Sequence, residues 1–402
     1  MKADTIDVSD RGESTAAMEP LQIGESSPHR PALTELAVEL AAKSAGFRRS
    51  MPDGVVTALA DLVRAMNCYY SNLIEGHNTH PIDVERALRN DFSDDPGKRN
   101  LQLEARAHVS VQQWIDAGGL SGRVATREGI CEIHRRFGER LPDELLWVEN
   151  PESGERVRVE PGALRKRDVK VGHHVPISAG AVPRFLNRFE SVFNNLGKAA
   201  TIVSAAAAHH RLLWIHPFLD GNGRVARLMS HAMLREALDT GGIWSIARGL
   251  ARRESIYKVH LGACDQARRG DLDGRGSRSE ATLADFTRFF LQTCIDQVTF
   301  MQGLIEPNRL RERIRIWVEE EVRMRNLPSQ SGIIMETVLY RGDLPRGDVA
   351  GLTGTGDRQA RRVIAALTGA GVLSAASNRA PLRIAFPATL AGRWMPGLFP
   401  EP

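Results

Sequence analysis

Residues 214–227 read Trp-Ile-His-Pro-Phe-Leu-Asp-Gly-Asn-Gly-Arg-Val-Ala-Arg, and the rest of the chain is organised around them. An apolar helical run, Thr201 to Ile215, leads in. Pro217 disfavours helical dihedrals at His216, so the helix is expected to end there. A second amphipathic run, Val225 to Leu238, leaves on the far side. Between them lies a short loop rich in Gly, Asn and Asp. A loop opening into a helix N-terminus presents unpaired N–H groups and the positive end of a dipole, which makes a seat for an anion. Arg224 and Arg227 project to one side of the outgoing helix near its start. Asp220 offers a hard oxygen ligand suited to Mg²⁺. His216 offers a group that accepts a proton near neutral pH. A base, a metal ligand, a phosphate cradle and two arginines in so short a span point to phosphoryl or nucleotidyl transfer.

The run His216-Pro-Phe-Leu-Asp220-Gly-Asn-Gly-Arg224-Val-Ala-Arg227 resembles the signature of the Fic family, His-Pro-Phe-x-(Asp/Glu)-Gly-Asn-Gly-Arg-x-x-Arg, at every fixed position. The resemblance implies a mainly α fold, a Fic-type helical core, and transfer of AMP from ATP to a Ser, Thr or Tyr hydroxyl of a target protein or of the enzyme itself. His216 is then the base and Asp220 the Mg²⁺ ligand. Gly221, Asn222 and Gly223 cradle the phosphates, through backbone N–H groups and the Asn222 side chain. Arg224 and Arg227 neutralise the β- and γ-phosphates. Some relatives move UMP, phosphocholine or phosphate, and others remove AMP. Loop departures that accompany phosphocholine or phosphate transfer are missing here, which favours AMP.

A second stretch, Ser71-Asn72-Leu73-Ile74-Glu75-Gly76, ends a helical pattern that begins at Val55. Taken alone, Glu75 is a solvated carboxylate near a helix end, and Gly76 is a helix stop. Beside the loop, Ser71, Glu75 and Gly76 match the family's inhibitory motif, (Ser/Thr)-x-x-x-Glu-(Gly/Asn). The resemblance implies that Glu75 pairs with Arg227. A carboxylate there would occupy the guanidinium that holds the γ-phosphate. The α-phosphorus would then be misaligned for in-line attack.

The 402 residues carry a net charge of +4, too mild to argue for nucleic acid by itself. The four cysteines, Cys68, Cys131, Cys264 and Cys294, lie far apart without a Cys-x-x-Cys pair, which speaks for reduced thiols and against a cysteine zinc site. No apolar run suits a membrane span and no signal-peptide core is evident, so a cytoplasmic protein without membrane contact is expected. Residues 1–32 are polar and read as a disordered tail. Residues 33–100 form an N-terminal helical region carrying the inhibitory helix. The Fic core is expected over 101–304, a linker helix over 305–327 and a small winged helix-turn-helix domain over 328–402.

Within the core, valines alternate with charged residues at Val157–Val159 and Val169–Val171, which is strand periodicity. In this family a β-hairpin flap precedes the catalytic helix, and Arg165 to Pro176 looks like it. Such an edge pairs with an extended target segment; the plainer alternative is a surface hairpin. His209 and His210 lack a third ligand in sequence and read as packing residues rather than a zinc site. Tyr257, Leu261 and Asp265 share one helical face. Relatives place comparable residues around adenine, although a core role is commoner at that spacing. In the last domain Arg358, Arg361 and Arg362 lie on the third helix, where winged helices contact DNA. Binding of protein or self-association into a homo-oligomer is the competing reading. A nucleotide-sensing transcription regulator is the alternative from another functional class.

Overall fold

The structure, a computed structural model, describes residues 9–149, 154–238 and 240–399. Helices begin where the sequence supplies caps. Helix α1 (Arg30–Arg49) opens with a proline in its first turn. Helix α2 (Asp53–Ile74) carries Asp53 at the positive end of its dipole. Helix α3 (Pro81–Leu88) is short. Helix α4 (Pro96–Asp116) is capped by Asp95, whose carboxylate accepts from Lys98 N at 2.8 Å. Helix α5 (Arg127–Gly138) is capped by Thr126. A two-stranded antiparallel hairpin follows, β1 (Trp147–Glu149) with β2 (Arg156–Arg158), in the register Val148 opposite Val157.

Helix α6 (Val182–Phe193) then leads to the central pair, α7 (Lys198–Ile215) and α8 (Asn222–Leu238). The run Ile202 to Leu212 on α7 is buried all round. Alanines at 205–208 present small side chains, so that α8, α6, α1 and the later α11 all pack against α7. Helices α9 (Ala247–Arg252) and α10 (Glu254–Ala263) are separated at Arg253, which leaves helical dihedrals (φ −123°, ψ 35°). Helix α11 (Glu280–Leu304) buries Phe286 and Phe290, each contributing about 1.5–3 kcal/mol relative to exposure. Helix α12 (Pro307–Arg323) exposes most of its charge and buries Leu310, Ile314, Trp317 and Val318.

The C-terminal region holds α13 (Ser331–Arg341), α14 (Asp348–Thr353), α15 (Asp357–Gly369), the pair β3 (Leu373–Ser374) and β4 (Arg383–Ile384), and α16 (Ala391–Trp394). No helix among the described residues is long and apolar enough to cross a membrane.

Three expectations need correction. From Ser9 onward the N-terminal stretch is no disordered tail; residues 1–8 lie outside the described residues. Met18, Leu21 and Ile23 are buried. The polar residues around them find partners: Arg184 meets Asp10, Arg188 meets Glu19, and Glu13 accepts from Ser178 N at 2.8 Å. Second, residues 165–176 form no regular hairpin. A single bridge joins Val171 and His174, because the Arg165 end of the segment is bonded inward. The paired strands lie earlier, at 147–149 and 156–158. Third, the C-terminal region does not stand apart. Tyr70 Oη donates to Leu398 O at 2.8 Å, Phe399 stacks on Tyr70, and the Gly342 carbonyl lies where a Cβ on Gly54 would be, at 1.8 Å. Helix α2 is therefore gripped along its back by residues the sequence places more than 250 positions away.

Candidate active site

Helix α7 stops at His216, which adopts φ 51° and ψ 63° and donates its N–H to Leu212 O at 3.0 Å. Pro217 cannot continue the helix, and Phe218 plugs the core at 0% exposure. The Phe218 ring stacks on His134 of α5, with centroids 3.9 Å apart. Gly221 takes φ 81°, a conformation in which a side chain would be strained.

Asn222 then staples the turn. Its Oδ1 accepts from Phe218 N at 3.0 Å and its Nδ2 donates to Phe218 O at 2.8 Å. The side chain expected on phosphate is thus committed to the loop itself, a correction that leaves the cradle to the backbone. Among the described residues, the N–H groups of Asn222, Gly223 and Arg224 have no protein acceptor. They open the N-terminus of α8 as an anion seat.

His216 is mostly enclosed. Burial lowers its pKa to about 4, aided by the charges of Arg165 and His174 and opposed by its bond to Leu213 O and by Asp220. It is neutral at pH 7. Nδ1 lies 3.3 Å from Leu213 O and donates to it, which leaves the lone pair on Nε2.

Asp220 is exposed and uses only Oδ2, accepting from Arg224 Nη2 at 2.8 Å. Arg224 also donates from Nη1 to Glu104 Oε1 at 2.6 Å and lies over the Phe137 ring. Glu104, on α4, accepts a further bond from His77 at 2.8 Å. That bond, opposed by burial, raises the His77 pKa.

Arg227 faces α2. Nε donates to Ser71 Oγ at 2.8 Å, Nη2 donates to Ser71 O at 3.1 Å, and Nη2 also grips Glu75 Oε1. Burial pushes the Glu75 carboxyl up, but the charge and hydrogen bond of Arg227, with Arg224, hold it below its ordinary value. The end of α2 is shaped for this. Gly76 at φ 85° donates to Leu73 O and His77 donates to Asn72 O, a Schellman closure with Glu75 at the cap. A Cβ built on Gly223 would fall 2.3 Å from Glu75 Oε1. The carboxylate therefore rests on the backbone of the anion seat.

On α10 the geometry is different. Tyr257 is 2% exposed and its hydroxyl lies 2.6 Å from His209 Nε2. Ser230 Oγ donates to Ala226 O, so His209 donates from Nδ1 to Ser230 and accepts from Tyr257. Burial pushes the Tyr257 hydroxyl up to about 12. Asp265 accepts from His210 Nε2 at 3.1 Å and lies 3.3 Å from His174 Nδ1; Leu261 O also accepts from His210. Tyr257 thus offers no open face for a base, against the expectation of an adenine wall, because its hydroxyl is bound to His209 and its ring is covered beside Phe286. No cluster of three or more His, Cys, Asp or Glu suited to a metal occurs among the described residues.

The site thus joins a helical hairpin, with His216 at its bend, to open backbone N–H groups at the start of α8. Residues 124–234 match the family model described as Fic/DOC family. The chain is similar to the protein adenylyltransferase Fic of Drosophila virilis, 29% identical over 171 residues, 42% of this chain and 32% of that protein. It is 33% identical to the protein adenylyltransferase Fic of Drosophila ananassae over 171 residues, 42% of this chain and 31% of that one. The chain spans about a third of the length of these curated relatives. Among solved structures, a Fic family protein from Desulfovibrio desulfuricans G20 shares the fold. The TM-score is 0.53 over 90% of this chain and 98% of that one, at 16% identity.

Proposed function

We propose that the chain is a protein adenylyltransferase, held inactive by Glu75, that transfers AMP from ATP to a protein hydroxyl. The observation that carries this reading is that one short loop holds both a His216 lone pair left free on Nε2 and the unpaired N–H groups of Asn222, Gly223 and Arg224. ATP phosphates occupy the seat, and Arg224 and Arg227 balance the charge of the leaving pyrophosphate. The target hydroxyl oxygen attacks the α-phosphorus and its proton passes to His216 Nε2. The bond from that phosphorus to the bridging oxygen breaks, and pyrophosphate leaves. Positioned base help of this kind is worth about 10²–10⁴-fold.

Asp220 fits Mg²⁺: Oδ1 has no protein partner among the described residues and the carboxylate is half exposed. Mg²⁺ is commonly held by one or two carboxylates together with substrate phosphates, so a larger acidic cluster is not required. When bound, the ion would draw charge from the phosphate oxygens.

Glu75 supports the inhibitory part of the reading, because its carboxylate rests against Gly223 and holds Arg227. A phosphate oxygen and a carboxylate compete for one guanidinium and one seat. Residues 328–399 read best as a winged-helix-like unit. The exposed Arg358, Arg361 and Arg362 on α15 make DNA a partner to test, by a salt-dependent gel shift with the full chain.

The test of the transfer reading uses the Glu75→Gly chain with ATP labelled at either the α- or the γ-phosphate. Protein label from the α-position alone, with pyrophosphate released, is expected. Label from the γ-position, or from neither, overturns the reading.

A further inference from the structure

Arg165 lies outside the signature loop, yet it holds that loop in two places. The turn Glu160-Pro-Gly-Ala-Leu-Arg165 presses on α5. Gly162 sits at φ 78° and donates to His134 Nδ1 at 2.8 Å, and a Cβ there would lie 2.7 Å from Arg135 Cβ. The turn sends the Arg165 side chain inward, where it is 0% exposed. Its Nε donates to His216 O at 2.7 Å, and its backbone N–H donates to Pro217 O at 2.9 Å. Nη1 donates to Arg167 O at 2.9 Å, and Nη2 donates to Ile177 O.

His216 and Pro217 carry the first two carbonyls after α7, and a buried carbonyl without a donor is costly. His216 is also one of few non-glycine residues here with a left-handed backbone, φ 51°. That conformation is unfavourable by about 1–2 kcal/mol for an L-residue and persists only where its surroundings hold it. The same backbone rotation decides where the imidazole points. The far side of Arg165 is itself anchored: Ser178 donates from N at 2.8 Å and from Oγ at 2.6 Å to Glu13, and Ala179 N donates to Asp168 at 2.8 Å.

We propose that Arg165 is a positioning residue for the transfer reaction, fixing the His216 and Pro217 carbonyls so that the His216 Nε2 lone pair meets the incoming hydroxyl. The proposal rests on the adenylyl-transfer reading above. Arg165 is fully covered, so it reaches substrate only through His216. A planar guanidinium serves three segments at once, which a lysine ammonium cannot reproduce.

The test compares Arg165→Lys and Arg165→Gln with their parent, the Glu75→Gly chain, using material shown to be folded by thermal unfolding. Both variants are expected to lower kcat by about 10–100-fold through misplacement of the base, with KM for ATP within about twofold. An Arg165→Lys chain keeping kcat within about threefold of the parent, or a loss confined to KM, overturns the proposal. A parent without transfer activity sinks the adenylyl-transfer reading instead. In that event the ¹⁵N shifts of the His216 ring still decide on Arg165. The parent is expected to hold the Nδ1–H tautomer and Arg165→Gln to mix tautomers; an unchanged ring environment overturns the positioning role.

Discussion

Loop 216–224 and helix α10 offer opposite lessons. The loop anchors itself through Phe218 and Asn222 and leaves backbone donors open at the start of α8. His216 carries a free lone pair on Nε2. Helix α10, with Asp265 just beyond its end, does the reverse. The Tyr257 hydroxyl, the Leu261 carbonyl and the Asp265 carboxylate are all bound to histidines of α7 or of the 165–176 segment. A region poised for chemistry is marked by groups left unsatisfied, and a supporting region by groups satisfied from a distance.

The largest effect expected from breaking this contrast is at the base. His216→Ala, made in the Glu75→Gly chain, is expected to lower target labelling by about 10²–10⁴-fold, with ATP binding kept. Labelling within tenfold of the parent would remove His216 from the reaction. Asn222→Ala comes next. It strips both bonds that close the loop onto Phe218. Loss of such buried bonds costs about 1–3 kcal/mol. A drop in melting temperature accompanied by a drop in kcat is expected; an unaffected loop would show that Asn222 is no staple.

Acidity sharpens the same contrast. Burial holds His108, His209, His210, His134 and His216 neutral, with pKa values lowered to between about 3 and about 4. Their unfolded value is 6.5, so below that pH the unfolded chain takes up protons the folded chain refuses. Stability is therefore expected to decline as pH falls from 6.5 toward 4, read by thermal unfolding. Over the range where the chain stays folded, kcat/KM should show no acid limb near 6.5. A limb there would mean that the base is more solvated than the structure has it.

Smallest is Tyr257→Phe. If α10 is support, removing the hydroxyl leaves KM for ATP within about twofold and costs about 1 kcal/mol of stability. A tenfold rise in KM would instead make Tyr257 part of the nucleotide pocket.

The helical core and the loop were legible because their chemistry is local. Pro217 ends one helix, Gly221 turns the chain, and Arg224 and Arg227 follow within a turn or so of the next. Ser71, Glu75 and Gly76 were legible by resemblance, and their Schellman closure is again a local matter. Glu104 was not legible. It sits in the middle of α4 like any solvated glutamate, and only folding brings it to Arg224 and His77. Arg165 looked like one charge among several in a strand-like segment, because backbone carbonyls leave no trace in a residue pattern. The packed stretch from Ser9 to Ile23 was hidden for the same reason: its polar residues are matched by Arg184, Arg188 and Ser178, more than 160 positions on.

The most direct measurement is the rate of protein labelling from α-phosphate-labelled ATP by the Glu75→Gly chain relative to the unaltered chain. Freeing Arg227 and the Gly223 seat is predicted to raise that rate on the order of tenfold or more, the scale set by losing one charge-assisted contact of roughly 1.5–3 kcal/mol. Equal rates, or a lower rate in the variant, would contradict the account.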